Sequence, residues 1–261
     1  MAFKRIFIFI ALLSLVSCAK KPITKPPTPI PAPTPTTPIV ETLKSSLFFK
    51  NIRAIKSEVR VEASKNGDTI GAFDGLLMYK EPDYMNLRLF GPLGLTAAEF
   101  ILNKRLLQIY IPFKNTIYEG EISALSEFYE RKDILYAVET LRDGYVLYML
   151  KDEKTPEGEI ELIGKFVFSN TENPINTEAS IYRKRTKVIG LGFSEFSGNI
   201  PLSLKLISGD VVLDLRLIEP EIDGDIPDEF FKPKDHEGRE IKQLRELSKR
   251  GVMSTFLCKF F

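Results

Sequence analysis

Apolar and polar residues alternate with a period of two in one segment after another between residues 58 and 218, and this pattern limits the fold more than any other feature. Strands present successive side chains to opposite faces, so such segments suit a sheet with a packed face. Val59, Val61 and Ala63 alternate with Glu58, Arg60 and Glu62, and Met85, Leu87 and Leu89 alternate with Asn86 and Arg88. Further strand-like segments run over 70–79, 95–102, 106–111, 117–118, 145–150, 160–168, 179–185, 188–196, 202–207 and 211–218. Glu81-Pro82-Asp83, Pro112 to Asn115 and the hairpin-like Ser208-Gly209-Asp210 punctuate the series. Helical spacing is read at 41–56, at 122–141 (Ile122, Leu125, Phe128, Tyr129, then Ile134, Leu135, Val138, Leu141) and in a tail with Ile241, Leu244 and Leu247. About ten or eleven antiparallel strands with helices inserted among them, not after each one, argue against βαβ winding. They predict a barrel or strongly curved sheet.

The N-terminus reads as an export address. Lys4 and Arg5 precede an apolar run from Ile6 to Val16, broken only by Ser14. That run is too short for a membrane-spanning helix, which needs about 20 apolar residues, and it fits a signal-peptide core. It ends in Leu15-Val16-Ser17-Cys18, which resembles the bacterial lipobox. The resemblance implies cleavage before Cys18 and acylation of that cysteine. With Ala19 following, and not Asp, it also implies sorting to the outer membrane. An ordinary signal peptide with a chance cysteine is the other reading of the same residues. Two or more acyl chains anchor stably where one is marginal. The chain therefore divides into a signal peptide (1–17), a lipidated cysteine with a Pro-rich tether (18–39), one domain (40–235) and a tail (236–261). Pro22, Pro26, Pro27, Pro29, Pro31, Pro33, Pro35 and Pro38 make the tether extended, with a reach of roughly 50 Å at about 3.1 Å per residue.

Several function classes are excluded. The formal net charge is +1 with acids and bases interspersed, so there is no basic face for nucleic acid. If Cys18 is acylated, Cys258 has no partner within the chain, which excludes a disulfide framework and leaves little for a Cys/His metal site. The single histidine, His236, lies after the last strand and reads as a surface residue, with no Ser–His or Cys–His arrangement around it. Asp223, Asp225, Asp228 and Glu229 hint at calcium but depart from EF-hand spacing, so a solvated turn is the reading adopted. Gly190-Leu191-Gly192 lacks the third glycine of a nucleotide loop. Arg183 to Lys187 is a basic turn, either solvated or facing acidic partners or lipid headgroups. The chain is expected to be no enzyme and to hold no cofactor.

Four motifs in order resemble the LolA/LolB family of lipoprotein carriers and receptors, and specifically a divergent LolB-like branch. They are the strand-and-turn Gly75-Leu76-Leu77-Met78-Tyr79-Lys80-Glu81-Pro82, the loop Leu87-Arg88-Leu89-Phe90-Gly91-Pro92-Leu93-Gly94, Ile109-Tyr110-Ile111-Pro112-Phe113, and Ile226-Pro227-Asp228-Glu229-Phe230-Phe231. The resemblance spans roughly 43–233 and implies a mainly β fold: an unclosed antiparallel β-barrel with a helical lid over an apolar cavity. It implies a monomer that accepts acylated lipoproteins from a periplasmic LolA-like carrier and releases them into the outer membrane. Pro92, Leu93 and Gly94 would form the membrane-inserting loop, although Leu93 folding back onto the core fits the same residues. Met85, Leu87, Leu89, Leu95, Ala97, Leu204, Leu206, Leu213 and Leu215 would line the lipid cavity, although a filled core gives the same alternation. A lipid-binding sensor and a structural outer-membrane assembly lipoprotein are the alternative functions. The tail from Arg239 to Phe261 lies beyond the family pattern; docking on the domain or on a membrane surface is expected of it.

Overall fold

The computed structural model describes residues 38–46, 52–81, 84–121, 134–152, 160–183, 186–244 and 246. The signal segment, Cys18, the tether as far as residue 37, Cys258 and the apolar end of the tail lie outside the described residues. Fourteen strands occur among those described, and they fall into two compact units.

The first unit takes residues 52–121 and 210–244. Strands β1 (Ala54–Lys65), β2 (Asp68–Lys80), β3 (Tyr84–Phe90), β4 (Thr96–Asn103), β5 (Leu106–Ile111) and β6 (Thr116–Glu121) form an up-and-down meander. Strand β13 (Val211–Ile222) pairs antiparallel with β1, and β14 (Glu240–Gln243) pairs parallel with β6. The alternation read in the sequence is the alternation of the sheet: β1 is buried at every second residue from Ile55 to Ala63. Where β2 passes β3, Gly75 is required, because a Cβ there would stand 2.4 Å from the Arg88 carbonyl oxygen.

The second unit takes the described residues between 38 and 209 that the first does not. Strands β7 (Ile134–Leu141), β8 (Gly144–Asp152), β9 (Ile160–Ser169), β10 (Ile175–Arg183), β11 (Thr186–Ser197) and β12 (Ile200–Ser208) are adjacent in sequence order, a second meander. One helix, α1 (Pro38–Ser45), packs near β7 with Val40 and Leu43 fully buried, and Lys44 Nζ lies 5.0 Å from the centre of the Tyr136 ring.

The molecule is mainly β, and its antiparallel sheets are unclosed, as the resemblance implied. Three helical expectations are corrected. Ile134 to Leu141 is strand β7, every residue of it paired with β8 from Ile134–Lys151 to Leu141–Gly144. The expected helical lid thus loses this half, and its other half, 122–133, lies outside the described residues. Ile241 belongs to β14, opposite Ile117, not to an amphipathic helix. The first helix ends at Ser45, and Ile55 is already in β1. In each case inter-strand pairing, which a spacing rule does not see, outweighs a three-or-four-residue recurrence in a short window.

Candidate functional site

The loop between β3 and β4 is a tight, self-bonded turn. Gly91 N donates to Leu95 O at 2.8 Å, and Gly94 N donates to Gly91 O at 3.3 Å. Pro92 begins a single 3-10 turn, and Leu93 follows with φ 63° and ψ 19°, then Gly94 with φ 71°. The left-handed region suits Gly94 but costs a leucine about 1 kcal/mol or more. Leu93 is nevertheless 96% exposed, so it does not fold back onto the core. Leu95, expected in the cavity, is 69% exposed at the base of the same loop. That is a correction: the residue precedes β4 and closes the turn with its carbonyl, so its side chain stands off the sheet.

A second apolar tip stands at the same end of the first unit, because the β3–β4 and β5–β6 hairpins both close there. Pro112–Lys114 form another 3-10 turn, capped by left-handed Asn115. Phe113 is 57% exposed, and Lys114 Nζ lies 5.3 Å from the centre of its ring. Sequence reasoning missed Phe113 as a tip residue. The signal was present: Pro112-Phe113 repeats the Pro-apolar pairing of Pro92-Leu93 between two strands.

The register gathers most of the expected lining residues of the first unit onto one sheet face. Met85 lies opposite Tyr79 and Leu102, Leu87 opposite Leu77 and Phe100, and Leu89 opposite Gly75 and Ala98. Leu213 and Leu215 join the same face through Ala63 and Val61. Met85, Leu87, Leu89 and Leu213 are buried, and Leu215 is half-buried. Ala97 is buried in the bulge where the register shifts between Leu89 and Phe90, and Ala98 opposes Leu89. Leu204 and Leu206 belong to the second unit, where they oppose Phe193 and Leu191.

No family model matches the chain, and no curated protein matches it in sequence. Solved structures do match in fold. A DUF1329 family protein from Desulfovibrio piger superposes with a TM-score of 0.53 at 13% identity, over 74% of this chain and 93% of its own. A LolA superfamily protein from Nitrosomonas europaea gives 0.51 at 13% identity, over 75% and 96%. A Vibrio parahaemolyticus domain described as an outer membrane lipoprotein-sorting protein gives 0.53 at 12% identity, over 74% and 95%. The chain thus shares the fold of these structures, among them a LolA superfamily protein and a lipoprotein-sorting domain.

In this LolA-like fold the opposite face of the first unit is closed by its own chain. The segment from Asp223 to Arg239 crosses it as a strap before β14 joins the sheet edge, bonded along the way through side-chain and backbone atoms. Asp223 Oδ1 accepts from Arg53 N at 2.6 Å, and Lys80 Nζ donates to Asp228 at 2.6 Å, which accounts for two of the acidic residues weighed for calcium. Asn86 Nδ2 donates to Phe230 O, Asn103 Nδ2 to Phe231 O, and Lys234 N to Gln108 Oε1. Phe231 is buried in a cluster with Ala54, Met78 and Ile226. His236 Nε2 lies 2.9 Å from Glu119 Oε2. Under the strap, the buried Glu99 carboxylate meets Arg88 Nη2 at 2.9 Å, Asn86 Nδ2 at 2.9 Å and Lys234 Nζ at 3.0 Å. Burial pushes the Glu99 carboxyl up, but the hydrogen bonds from Arg88, Asn86 and Lys234 outweigh it and hold it below the usual carboxylate value. Among the described residues no helix is long and apolar enough to cross a membrane.

Proposed function

We propose that this protein is a non-catalytic envelope lipoprotein, anchored in the outer membrane through Cys18, that binds the acyl chains of lipoproteins and helps insert them into that membrane. The observation that carries the reading is Leu93: a leucine 96% exposed at a loop tip, in a backbone conformation that disfavours it. Stability alone would select Gly or Asn there. A bilayer supplies the missing burial, about 1.5–3 kcal/mol for a leucine side chain taken fully out of water. Phe113 and Lys114 on the adjacent tip extend this surface, an aromatic ring and a cation suited to the headgroup level. The LolA-like fold, shared with a domain described as lipoprotein-sorting, supports acyl chains as cargo and a LolA-like periplasmic carrier as donor. A 16-carbon chain exposed to water costs more than about 10 kcal/mol, at about 0.8 kcal/mol per CH₂. Hand-over between apolar surfaces needs no nucleotide and no reacting group.

A two-stage transfer assay tests this. Cargo lipoprotein passes from the carrier to the protein, then from the protein to liposomes. In the Leu93→Glu variant the first stage is expected to proceed and the second to fall at least tenfold, because a carboxylate is costly to place in a bilayer. Normal delivery by the variant would remove the insertion role.

A further inference from the structure

The second unit contains a buried amide with nothing to bind. Asn176 lies near the start of β10 and is 6% exposed. Its Nδ2 and Oδ1 are both shielded, and neither has a hydrogen-bond partner among the described residues. Phe168 on β9 is its register partner, and Tyr145 on β8 lies opposite Phe168. Phe166, Ala179 and Leu206 continue the same sheet face, so the surroundings are apolar. Native interiors hold few such orphans, and each calls for a physical reason.

We propose that Asn176 anchors the polar end of a neutral acyl lipid whose chain lies along this apolar face. The lipid's carbonyl oxygen accepts from Nδ2, and an adjacent hydroxyl or N–H donates to Oδ1. A carboxylate or phosphate is the wrong partner, because a neutral amide has no charge to balance a buried anion. The inference rests on the acyl-binding reading above and adds to it a head-group specificity. Two linkages offer the required carbonyl and donor: a glycerol ester with a free hydroxyl, and an amide-linked acyl chain.

Displacement of 1-anilinonaphthalene-8-sulfonate from the full-length protein distinguishes the outcomes, with monopalmitoylglycerol, N-methylpalmitamide and hexadecane as competitors. At least one of the two polar lipids is expected to bind about tenfold more tightly than hexadecane, the worth of a hydrogen bond or two. Whichever binds more tightly identifies the linkage, and in Asn176→Leu the ratio to hexadecane should fall to about one. Binding of all three with equal affinity overturns the anchor and leaves acyl binding intact. Displacement by none of them overturns acyl binding itself, and the anchor with it. A measurement on the unmodified protein guards against a variant that fails to fold: the carbonyl stretch of ¹³C-labelled bound lipid should move to lower frequency. An unshifted band means that water alone satisfies Asn176, and overturns the proposal.

Discussion

Glu99 in the first unit and Asn176 in the second are both polar and both buried, at 3% and 6% exposure, yet their surroundings are opposite. Three side chains from β3 and the strap converge on the Glu99 carboxylate. No group among the described residues meets the Asn176 amide. A buried polar group surrounded by partners belongs to the architecture, since removing any member strands the rest. A buried polar group without partners lowers stability and calls for a physical reason. The difference separates a face that the protein closes with its own strap from the face proposed above to hold a lipid.

The most severe test of the paired side is Glu99→Gln. It leaves Arg88 and Lys234 facing each other without the carboxylate, and should cost about 3 kcal/mol, as for a broken buried pair. The side chains of Arg88 and Lys234 are 32% and 33% exposed, so water screens part of the loss and the larger values for fully buried charges do not apply. Urea unfolding measures it; a change below about 0.5 kcal/mol would show that the cluster is solvated in practice. The same carboxylate sets an acid limit. Its folded pKa is below its unfolded one, so its contribution is fully present above the unfolded value and is lost as pH falls through the folded one. Stability of the unmodified protein should therefore drop more steeply in the acid range than that of Glu99→Gln.

The unpaired side responds in the opposite direction. Asn176→Leu removes an unsatisfied amide and adds apolar volume of similar size, so without lipid it should raise stability by about 1 kcal/mol. Thermal unfolding without and with monopalmitoylglycerol sharpens the comparison: the variant is the more stable protein alone and gains less from the lipid. A variant less stable than the parent would mean that Asn176 is satisfied within the free protein.

Much of the sheet was legible because period-two alternation is a local property. Val59, Val61 and Ala63 in β1, and Met85, Leu87 and Leu89 in β3, point as their spacing says. What the spacing does not reveal is what lies against the second face. Asn86 and Arg88 read as solvent-facing, but the strap covers that face and Asn86 is 1% exposed. The strap itself was visible only as the motif Ile226 to Phe231, because its bonds to Asn86, Asn103 and Gln108 span more than 120 residues. Amides at these strand positions, where charged residues would be cheaper in water, were the available clue. Strand β7 misled for the complementary reason: its apolar residues recur at helical intervals, and only its pairing with β8 makes it a strand. Of the candidate site, the Pro92-Leu93-Gly94 tip was legible, since proline and glycine fix a turn that leaves the leucine no strand to join. Asn176 was not, because a strand asparagine carries no sign of whether its neighbours will meet it.

Leu93 brings the comparison to the surface, and the smallest expected effect tests it. Like Asn176, it sits where the free chain would be more stable with another residue. Asparagine tolerates the left-handed region because its short side chain bonds to nearby backbone, while leucine at φ 63° crowds its own carbonyl. The side chain is 96% exposed, so replacing it forfeits almost no burial. Leu93→Asn should therefore stabilise the protein by about 0.5 kcal/mol, read as a small rise in the urea midpoint with an unchanged slope. The same variant loses the apolar tip without introducing a charge, so delivery to liposomes should fall, though less than in Leu93→Glu. Greater stability with slower delivery is the signature of a residue kept for a membrane that is absent from the folding experiment. Destabilisation would mean that Leu93 packs against the fold after all; greater stability with undiminished delivery would move the membrane contact to Phe113 and its neighbours.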